Sequence, residues 1–187
     1  MKAATHRSLE IEKAYHKYFE RKFNQYDRYW QINYTAWALM PELDIPIEGR
    51  PTMGPADSAH TLVIFSDFEC PGCKQMAGYI EKHIIKLSEK YGGLKIVFKH
   101  WPLCKDCNDV MTGVTKHPMA CAAAYAAEAA RLVGGDTAFW KMHNLLFEKQ
   151  DEWKNSGVFT GYAKEIGLDE AAFEKAMSSS EAIARVR

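Results

Sequence analysis

The sequence has no excess of either charge, because 24 Lys and Arg residues balance 24 Asp and Glu residues among 187. This balance excludes the overall basic charge that is typical of proteins that bind nucleic acid or anionic membranes. No stretch reaches the roughly 20 apolar residues of a membrane span. The opening MKAATHRSLEIEK also lacks the apolar core of a secretory signal. We therefore expect a soluble chain, with no nucleic acid partner, whose function depends on local chemistry.

Proline is scarce, and none of the seven prolines follows Pro118. Four of them lie in MPELDIPIEGRPTMGPADSAH, where fixed φ angles and missing amide donors predict an extended connector over residues 41–60. Before it, apolar and mainly aromatic residues recur at steps of three and four from Ile11 to Trp37. This spacing predicts a long amphipathic helix within residues 1–40. We favour packing of its apolar face on the chain's own domain, with a partner or a neighbouring subunit as the alternative.

The centre of the chain has the pattern of a strand, a helix and a second strand. TLVIFSDF, residues 61–68, and GLKIVFKHW, residues 93–101, are β-branched and aromatic runs that are typical of buried strands. Between them, apolar residues at helical spacing end at Gly92 and Gly93. Residues 61–103 are therefore predicted to form a βαβ unit with parallel strands, which places the chain in the α/β class.

Residues 104–187 are predicted to form a loop followed by helices. HPMACAAAYAAEAARLVGG has an alanine-rich body and a double-glycine stop. Asp136 is a candidate cap for the next helix, and Gly167 with Asp169 separates two shorter ones.

The sequence FECPGC places two cysteines where the first strand meets the helix. A helix N-terminus stabilises a thiolate, so Cys70 is the predicted nucleophile. Cys73 lies one turn later and is the predicted resolving thiol. Of the spacer residues, Pro71 suits the first helical turn and Gly72 leaves little bulk beside the attacked sulfur. The pair would act as a redox-active disulfide without any further cofactor.

Two carboxylates, Asp67 and Glu69, flank this dithiol. Either could accept the proton of Cys73 during resolution, and Asp67 is the better candidate general base because it lies deeper in the strand. The alternative for both is a solvated residue at the end of a strand.

The remaining cysteines, Cys104, Cys107 and Cys121, leave several pairings open. A Cys107–Cys121 disulfide would fasten the loop before the alanine-rich helix and contribute about 3 kcal/mol in the chain-entropy model. Otherwise Cys121 is a small apolar core residue, or Cys104 bonds to Cys107 or exchanges with these partners. CPGC and CKDC together also resemble a four-cysteine zinc pattern, although thirty residues separate them where about 15 to 20 is usual. We assign no metal ligand, and His100 and His117 remain only additional candidates.

Several motifs in combination resemble the DsbA-like branch of the thioredoxin superfamily: FSDFECPGC, FKHWPL, HPMACAAAYAAEAA and FWKMHNLLFEKQ. The likeness runs from about Ile45 to the end and includes the thioredoxin-like domain fused to bacterial vitamin K epoxide reductase homologues. It implies a thioredoxin-like fold with an inserted helical subdomain. It also implies disulfide exchange with proteins outside the cytoplasm, with Cys70 attacking and Cys73 as its partner.

The chain departs from this family after the helical insertion. Family members continue into a strand preceded by a cis-proline that faces the dithiol, and no proline lies there in this sequence. We therefore expect a fragment in which the C-terminal part of the sheet is missing.

Three functions compete at this point. The first is an extracytoplasmic, oxidising thiol:disulfide oxidoreductase, exchanging with protein thiols and recycled by a membrane partner of the vitamin K epoxide reductase type. Its location would be periplasmic, with a missing membrane domain as one means of tethering. The alternatives are a zinc-stabilised binding module and a redox-inert interaction domain that uses the aromatic helix.

Overall fold

The computed structural model describes residues 44–153 and 157–187. Contacts divide the chain into two units, Met1–Pro46 and Ile47–Arg187, and every element below belongs to the second. The amphipathic helix predicted within residues 1–40 lies outside the described residues.

Three strands form one mixed sheet: β1 (Thr52–Met53), β2 (Thr61–Ser66) and β3 (Lys95–His100), in the order β1-β3-β2. β2 and β3 run parallel, in a register that places Thr61 beside Lys95 and Ser66 beside His100. The prediction of a parallel βαβ unit is confirmed. β3 is the better buried strand because it has a neighbour on each side.

β1 was not expected, since it lies inside residues 41–60, which were predicted to be an extended connector. It runs antiparallel to β3, with Thr52 opposite Val97. Just before it, the carbonyl of Pro51 accepts a hydrogen bond from the Phe98 amide at 3.0 Å. Gly54 follows at φ 93°, where a Cβ atom would lie 2.1 Å from the Leu94 carbonyl oxygen. A two-residue strand is too short for alternation to show in the sequence.

The helix after β2 changes its winding along its length. It consists of α1 (Pro71–Tyr79), a π-helical turn (Ile80–Ile84), α2 (Ile85–Ser88) and a final 3₁₀ turn (Glu89–Tyr91). Gly92 ends it in the left-handed conformation at φ 87°, as predicted from the paired glycines. The π-helical turn was not predicted.

The longest helix, α3 (Ala120–Glu148), is interrupted where the sequence predicts a stop between two helices. Gly134 and Gly135 leave helical geometry, and Gly135 has φ 70° and ψ −169°, a combination that is nearly specific to glycine. Asp136 was predicted to cap the second half. Its carboxylate instead accepts from the Thr52 amide at 2.9 Å and from Arg131 Nε at 2.6 Å. The interruption thus joins α3 to the start of β1.

Three shorter helices complete the chain: α4 (Val158–Glu165), α5 (Glu170–Met177) and α6 (Ser180–Val186). Asp169 caps α5 by accepting from the Ala172 amide at 2.7 Å, at the break between two helices that Gly167 and Asp169 predicted. The alanines of α3 lie with aromatic residues of the sheet and helices in one buried core, which includes Phe68, Phe98, Phe139, Phe159 and Phe173. In the described ranges no further strand follows His100. Nor does any helix there have the length and apolar character needed to cross a membrane.

Candidate active site

Cys70 is the N-cap residue of α1, with extended backbone angles of φ −80° and ψ 120°, and Pro71 opens the first turn. The Cys70 carbonyl accepts the first helical hydrogen bond, from the Lys74 amide at 3.1 Å. The thiol is partly exposed. The sulfur therefore lies at the positive end of the helix dipole, in reach of solvent, as the spacing predicted.

Cys73 is half-buried one turn into α1. Burial raises the pKa of the Cys73 thiol above its ordinary value, and hydrogen bonding to Cys70 with the charge of Cys70 acts in the same direction. Hydrogen bonds from the Asp67 amide and the Ser66 hydroxyl oppose this rise without cancelling it. Cys73 is therefore a neutral thiol at pH 7, in contact with Cys70. Sequence reasoning missed Ser66, the last residue of β2.

Gly72 lies close to the attacked sulfur. A Cβ atom at this position would be 3.8 Å from Cys70 Sγ, so any larger residue would place atoms beside the reacting thiol. The absence of a side chain keeps that approach open.

Gln150, which is distant in sequence, supports the segment before α1. Its Nε2 donates to the Phe68 carbonyl at 2.7 Å and to the Cys70 carbonyl at 3.1 Å. Gln150 follows α3 and is eighty residues from Cys70 in sequence, so no local pattern could have identified it.

Asp67 is buried, with 4% of its surface exposed, so the alternative of a solvated residue is wrong for this carboxylate. Oδ1 accepts from the Glu69 amide, and Oδ2 accepts from the Leu103 amide, both at 2.7 Å. Oδ2 also lies 2.8 Å from His117 Nδ1. Asp67 thus connects the end of β2 to the loop that follows β3.

Glu69 makes a parallel connection. Its Oε2 accepts from the Met119 amide at 2.6 Å, at the N-terminus of α3. Both flanking carboxylates therefore hold the segment between β3 and α3 against the dithiol. His117, considered above only as an extra metal ligand, is part of this arrangement.

We expect Asp67→Asn to lower the free energy of unfolding by about 1–3 kcal/mol. The amide keeps one acceptor oxygen, but its NH₂ group cannot accept from Leu103 or His117, which leaves a buried donor without a partner. Urea denaturation would measure the change. The control is Asp151→Asn, because the Asp151 side chain is 90% exposed and its ion pair with Lys74 lies at the surface. Equal stabilities of the two variants would contradict this role of Asp67.

The other cysteines do not join the first pair in a metal site. Cys107 and Cys121 form a disulfide with a Cα–Cα distance of 5.8 Å, and Cys104 is a buried free thiol. Within the described ranges, no group of three or more His, Cys, Asp or Glu side chains is arranged to hold a metal ion. CPGC and CKDC are therefore separate sites, and the geometry does not support the zinc alternative.

Buried polar groups pack around Phe68, two residues before Cys70. His100 Nε2 is 3.0 Å from Glu128 Oε1, with both side chains 1% exposed. Burial lowers the pKa of His143 to about 4, against hydrogen bonding to Asn144, so its imidazole is neutral at pH 7. The ring of Phe68 contacts both histidines, at centroid distances of 6.0 and 5.6 Å. The segment that carries Cys70 therefore packs against these buried groups through Phe68.

An open cavity of about 820 Å³ adjoins Cys73. It lies among β2, α1 and the last turns of α3, and its lining includes Ser66, Cys73, Phe65, Met76 and Phe147. Phe65 and Met76 are 47% and 55% exposed. A mainly apolar surface therefore borders one side of the dithiol.

A mixed sheet with a dithiol at a strand-to-helix junction and a helical insertion defines a thioredoxin-like protein. The family model described as Thioredoxin matches residues 47–187, and the chain belongs to this family. Its architecture is that of the DsbA-like members.

Solved structures support this assignment of the fold. BdbD from Bacillus subtilis superposes with a TM-score of 0.56 at 23% identity, over 75% of this chain and 72% of that one. Alpha-DsbA2 from Wolbachia pipientis, a thiol-disulfide exchange protein, gives a TM-score of 0.57 at 20% identity, over 74% and 66% of the two chains. The predicted DsbA-like fold class is confirmed.

Curated relatives are much longer proteins. The chain is 35% identical over 133 residues to Na⁺/H⁺ antiporter NhaA 1 of Salinispora arenicola, a match that covers 71% of this chain and 18% of that protein. A match to Na⁺/H⁺ antiporter NhaA of Herminiimonas arsenicoxydans has 32% identity and covers 79% and 20%. The chain thus spans about a fifth of the length of these relatives.

Proposed function

We propose that the chain is a thiol:disulfide oxidoreductase that exchanges disulfides with protein substrates through Cys70 and Cys73. The observation that carries the proposal is the unequal setting of two adjoining thiols. Cys70 lies at the helix N-terminus and is partly exposed, whereas burial raises the pKa of Cys73. Cys70 is therefore assigned as the accessible thiol that attacks, and Cys73 as the protonated thiol that resolves.

In the oxidising direction, a substrate thiolate attacks Cys70 Sγ of the Cys70–Cys73 disulfide, and the electron pair leaves on Cys73. A second substrate thiolate then attacks the substrate sulfur of the mixed disulfide, and Cys70 leaves as a thiolate. The substrate loses two electrons and two protons, and the dithiol gains them. The helix dipole stabilises the leaving Cys70 thiolate, which favours this direction. No cofactor other than the Cys70–Cys73 pair is proposed.

In the reverse direction Cys73 must lose its proton before it can attack the mixed disulfide. We propose Asp67 as the acceptor of that proton, directly or through His117. The backbone amide of Asp67 hydrogen-bonds to the Cys73 thiol, and the Asp67 carboxylate is 2.8 Å from the imidazole of His117. If this is correct, Asp67→Asn prolongs the lifetime of the mixed disulfide as well as lowering stability.

We propose an extracytoplasmic, periplasmic location. The Cys107–Cys121 disulfide supports it, since such bonds persist mainly in oxidising compartments. The apolar cavity beside Cys73 supports the proposal that the substrates are polypeptides, because it suits an extended segment with apolar side chains. Tethering to a membrane, with recycling by a partner of the vitamin K epoxide reductase type, completes the proposal. Similar segments in proteins named as antiporters are consistent with tethering.

The test is to trap the intermediate. The reduced Cys73→Ser variant should form a stable mixed disulfide with a peptide that contains one disulfide, because Cys70 attacks and no resolving thiol follows. Cys70→Ser should form little adduct at pH 7, since the Cys73 thiol stays protonated. Non-reducing mass spectrometry would locate the bond. Equal adduct formation by the two variants would overturn the assigned roles, and no adduct with either would overturn the function.

The direction is measured separately, by equilibrating the wild-type chain with glutathione buffers of known ratio. An oxidising role predicts a potential near that of strong oxidants, about −120 mV, and a value near about −270 mV would make the chain a reductant instead.

A further inference from the structure

The three cysteines outside the dithiol lie in one apolar cluster. Cys104, Cys107 and Cys121 are 1%, 0% and 7% exposed and pack with Ala120, Ala124 and Val186. Cys107 and Cys121 form a disulfide with each other. Cys104 is a free thiol in the same cluster. A thiol and a disulfide in one buried cluster are the reactants of an exchange.

The backbone brings Cys104 within bonding reach of Cys107. The amides of Cys107 and Asn108 both donate to the Cys104 carbonyl, at 3.4 and 3.1 Å. A turn closed in this way holds residues i and i+3 within about 7 Å between Cα atoms. A disulfide requires roughly 4.4–6.8 Å, so Cys104 and Cys107 can bond with little movement of the chain.

The thiol of Cys104 has acceptors beside it. Its Sγ donates to Asp106 Oδ2 at 3.7 Å and lies 3.8 Å from Thr115 Oγ1. Asp106 is exposed, so its carboxylate can take the thiol proton and exchange it with water. The Asp106 carboxylate thus gives the Cys104 proton an acceptor within contact when the attacking thiolate forms.

We propose that these residues form a second, internal thiol–disulfide exchange centre, in which the chain alternates between a Cys107–Cys121 and a Cys104–Cys107 bond. The Cys104 thiolate attacks Cys107 Sγ, the Cys104–Cys107 bond forms, and the Cys107–Cys121 bond breaks. The electron pair leaves on Cys121, which takes up one proton in place of the proton that Cys104 lost. Nothing is oxidised or reduced overall, so no external reagent is consumed.

The centre is closed to large partners, which favours an internal reaction. Val186 of α6 packs on the cluster, and Arg187 donates to the Asp106 carbonyl at 3.3 Å. The end of α6 therefore packs against the cluster that holds the three sulfurs. A protein substrate could not reach Cys104 without displacing this helix.

The two bonding states hold the loop before α3 differently. The Cys107–Cys121 bond fastens that loop to the first turn of α3, whereas a Cys104–Cys107 bond closes only a local turn. The same loop supplies the Leu103 amide and His117 to Asp67. Exchange would therefore loosen the support of the CPGC site, a consequence that rests on the proposed function although the exchange itself does not.

The experiment traps the Cys121 thiol in the 187-residue chain. The protein, with Cys70 and Cys73 oxidised, is incubated under native conditions with excess N-ethylmaleimide, and timed samples are digested without reduction and mapped. The expected product has maleimide on Cys121 and a Cys104–Cys107 disulfide. Maleimide on Cys104 with Cys107–Cys121 intact would overturn the proposal, because it shows only transient exposure of a buried thiol. No label on Cys121 would overturn it equally.

Matched variants separate this reaction from the first dithiol. Cys104→Ser keeps the Cys107–Cys121 bond and removes the attacking thiol, so labelling of Cys121 should slow by at least about tenfold. The Cys70→Ser/Cys73→Ser variant should label Cys121 at the wild-type rate, whatever CPGC does. Failure of either expectation would show that the exchange is not internal to the three cysteines.

A final variant asks whether the alternative bond can form at all. Cys121→Ser treated with oxidised glutathione should form Cys104–Cys107 with an unchanged far-ultraviolet circular dichroism spectrum. A folded variant that leaves both thiols free would contradict the proposal. If the variant does not fold, the trapping experiment on the wild-type chain decides.

Discussion

Replacing Cys70 with serine is expected to abolish disulfide exchange with protein substrates, with a loss of turnover of roughly 10³-fold or more, as is usual when a nucleophile is removed. A serine hydroxyl cannot form the mixed disulfide through which both directions of the reaction pass. Cys73 cannot substitute, because burial raises its pKa and leaves it a neutral thiol at pH 7. The measurement is the rate at which the oxidised chain forms the disulfide of a reduced two-cysteine peptide.

Cys104→Ser is the matched control for this loss. Cys104 is also a free cysteine, but it is 1% exposed and lies in another cluster, so its replacement should leave the rate of peptide oxidation within about twofold. If Cys70→Ser retained the chain's activity, the function would not depend on the dithiol. That result would favour the redox-inert interaction domain considered from the sequence.

Phe68→Ala is expected to lower the free energy of unfolding by about 3–5 kcal/mol, the range for removing a fully buried phenylalanine. Phe68 is 1% exposed and stacks on Phe98 at a centroid distance of 5.3 Å. It also packs against Phe147 of α3 at 5.1 Å. The ring thus joins the sheet to the helical part of the chain, and its loss leaves a cavity bordered by both.

Urea denaturation followed by circular dichroism would measure the effect. Phe65→Ala is the control, because Phe65 lies three residues earlier, is 47% exposed and contacts Trp101 only edge-on, at 6.1 Å. Its replacement should cost less than about 1 kcal/mol. Similar costs for the two variants would show that Phe68 does not join the two parts of the core. Because Cys73 packs against the core that includes Phe68, we also expect faster alkylation of Cys73 in Phe68→Ala.

Much of the fold followed from local patterns. β-branched runs, helical spacing and the glycines at 92 and 93 predicted β2, β3 and the helix between them, with correct parallel pairing. The double glycine predicted the interruption of α3, where Gly135 has a positive φ. These signals act within a few residues or follow from a short connection, and so they can be recognised in a single sequence.

Other features depend on residues that are distant in the chain. β1 is too short to carry a period, and it exists because Pro51 and Thr52 meet β3 and Asp136. The hydroxyl of Ser66 and the amide of Gln150 were not recognised as parts of the site. Polar residues of these types occur throughout the sequence, and only their neighbours distinguish them.

The sequence by itself determined the position of the first dithiol: a strand ends, a helix begins, and Cys70 and Cys73 are spaced one turn apart. It also named Cys107 and Cys121 as partners, but left other pairings open. Only the tertiary structure decided that Asp67 and Glu69 hold the loop before α3, and that Cys104 shares a buried cluster with a disulfide. Helix position and thiol spacing are local properties of the chain. Burial and hydrogen bonding across 36 to 50 residues arise only when β3 and α3 pack beside the dithiol.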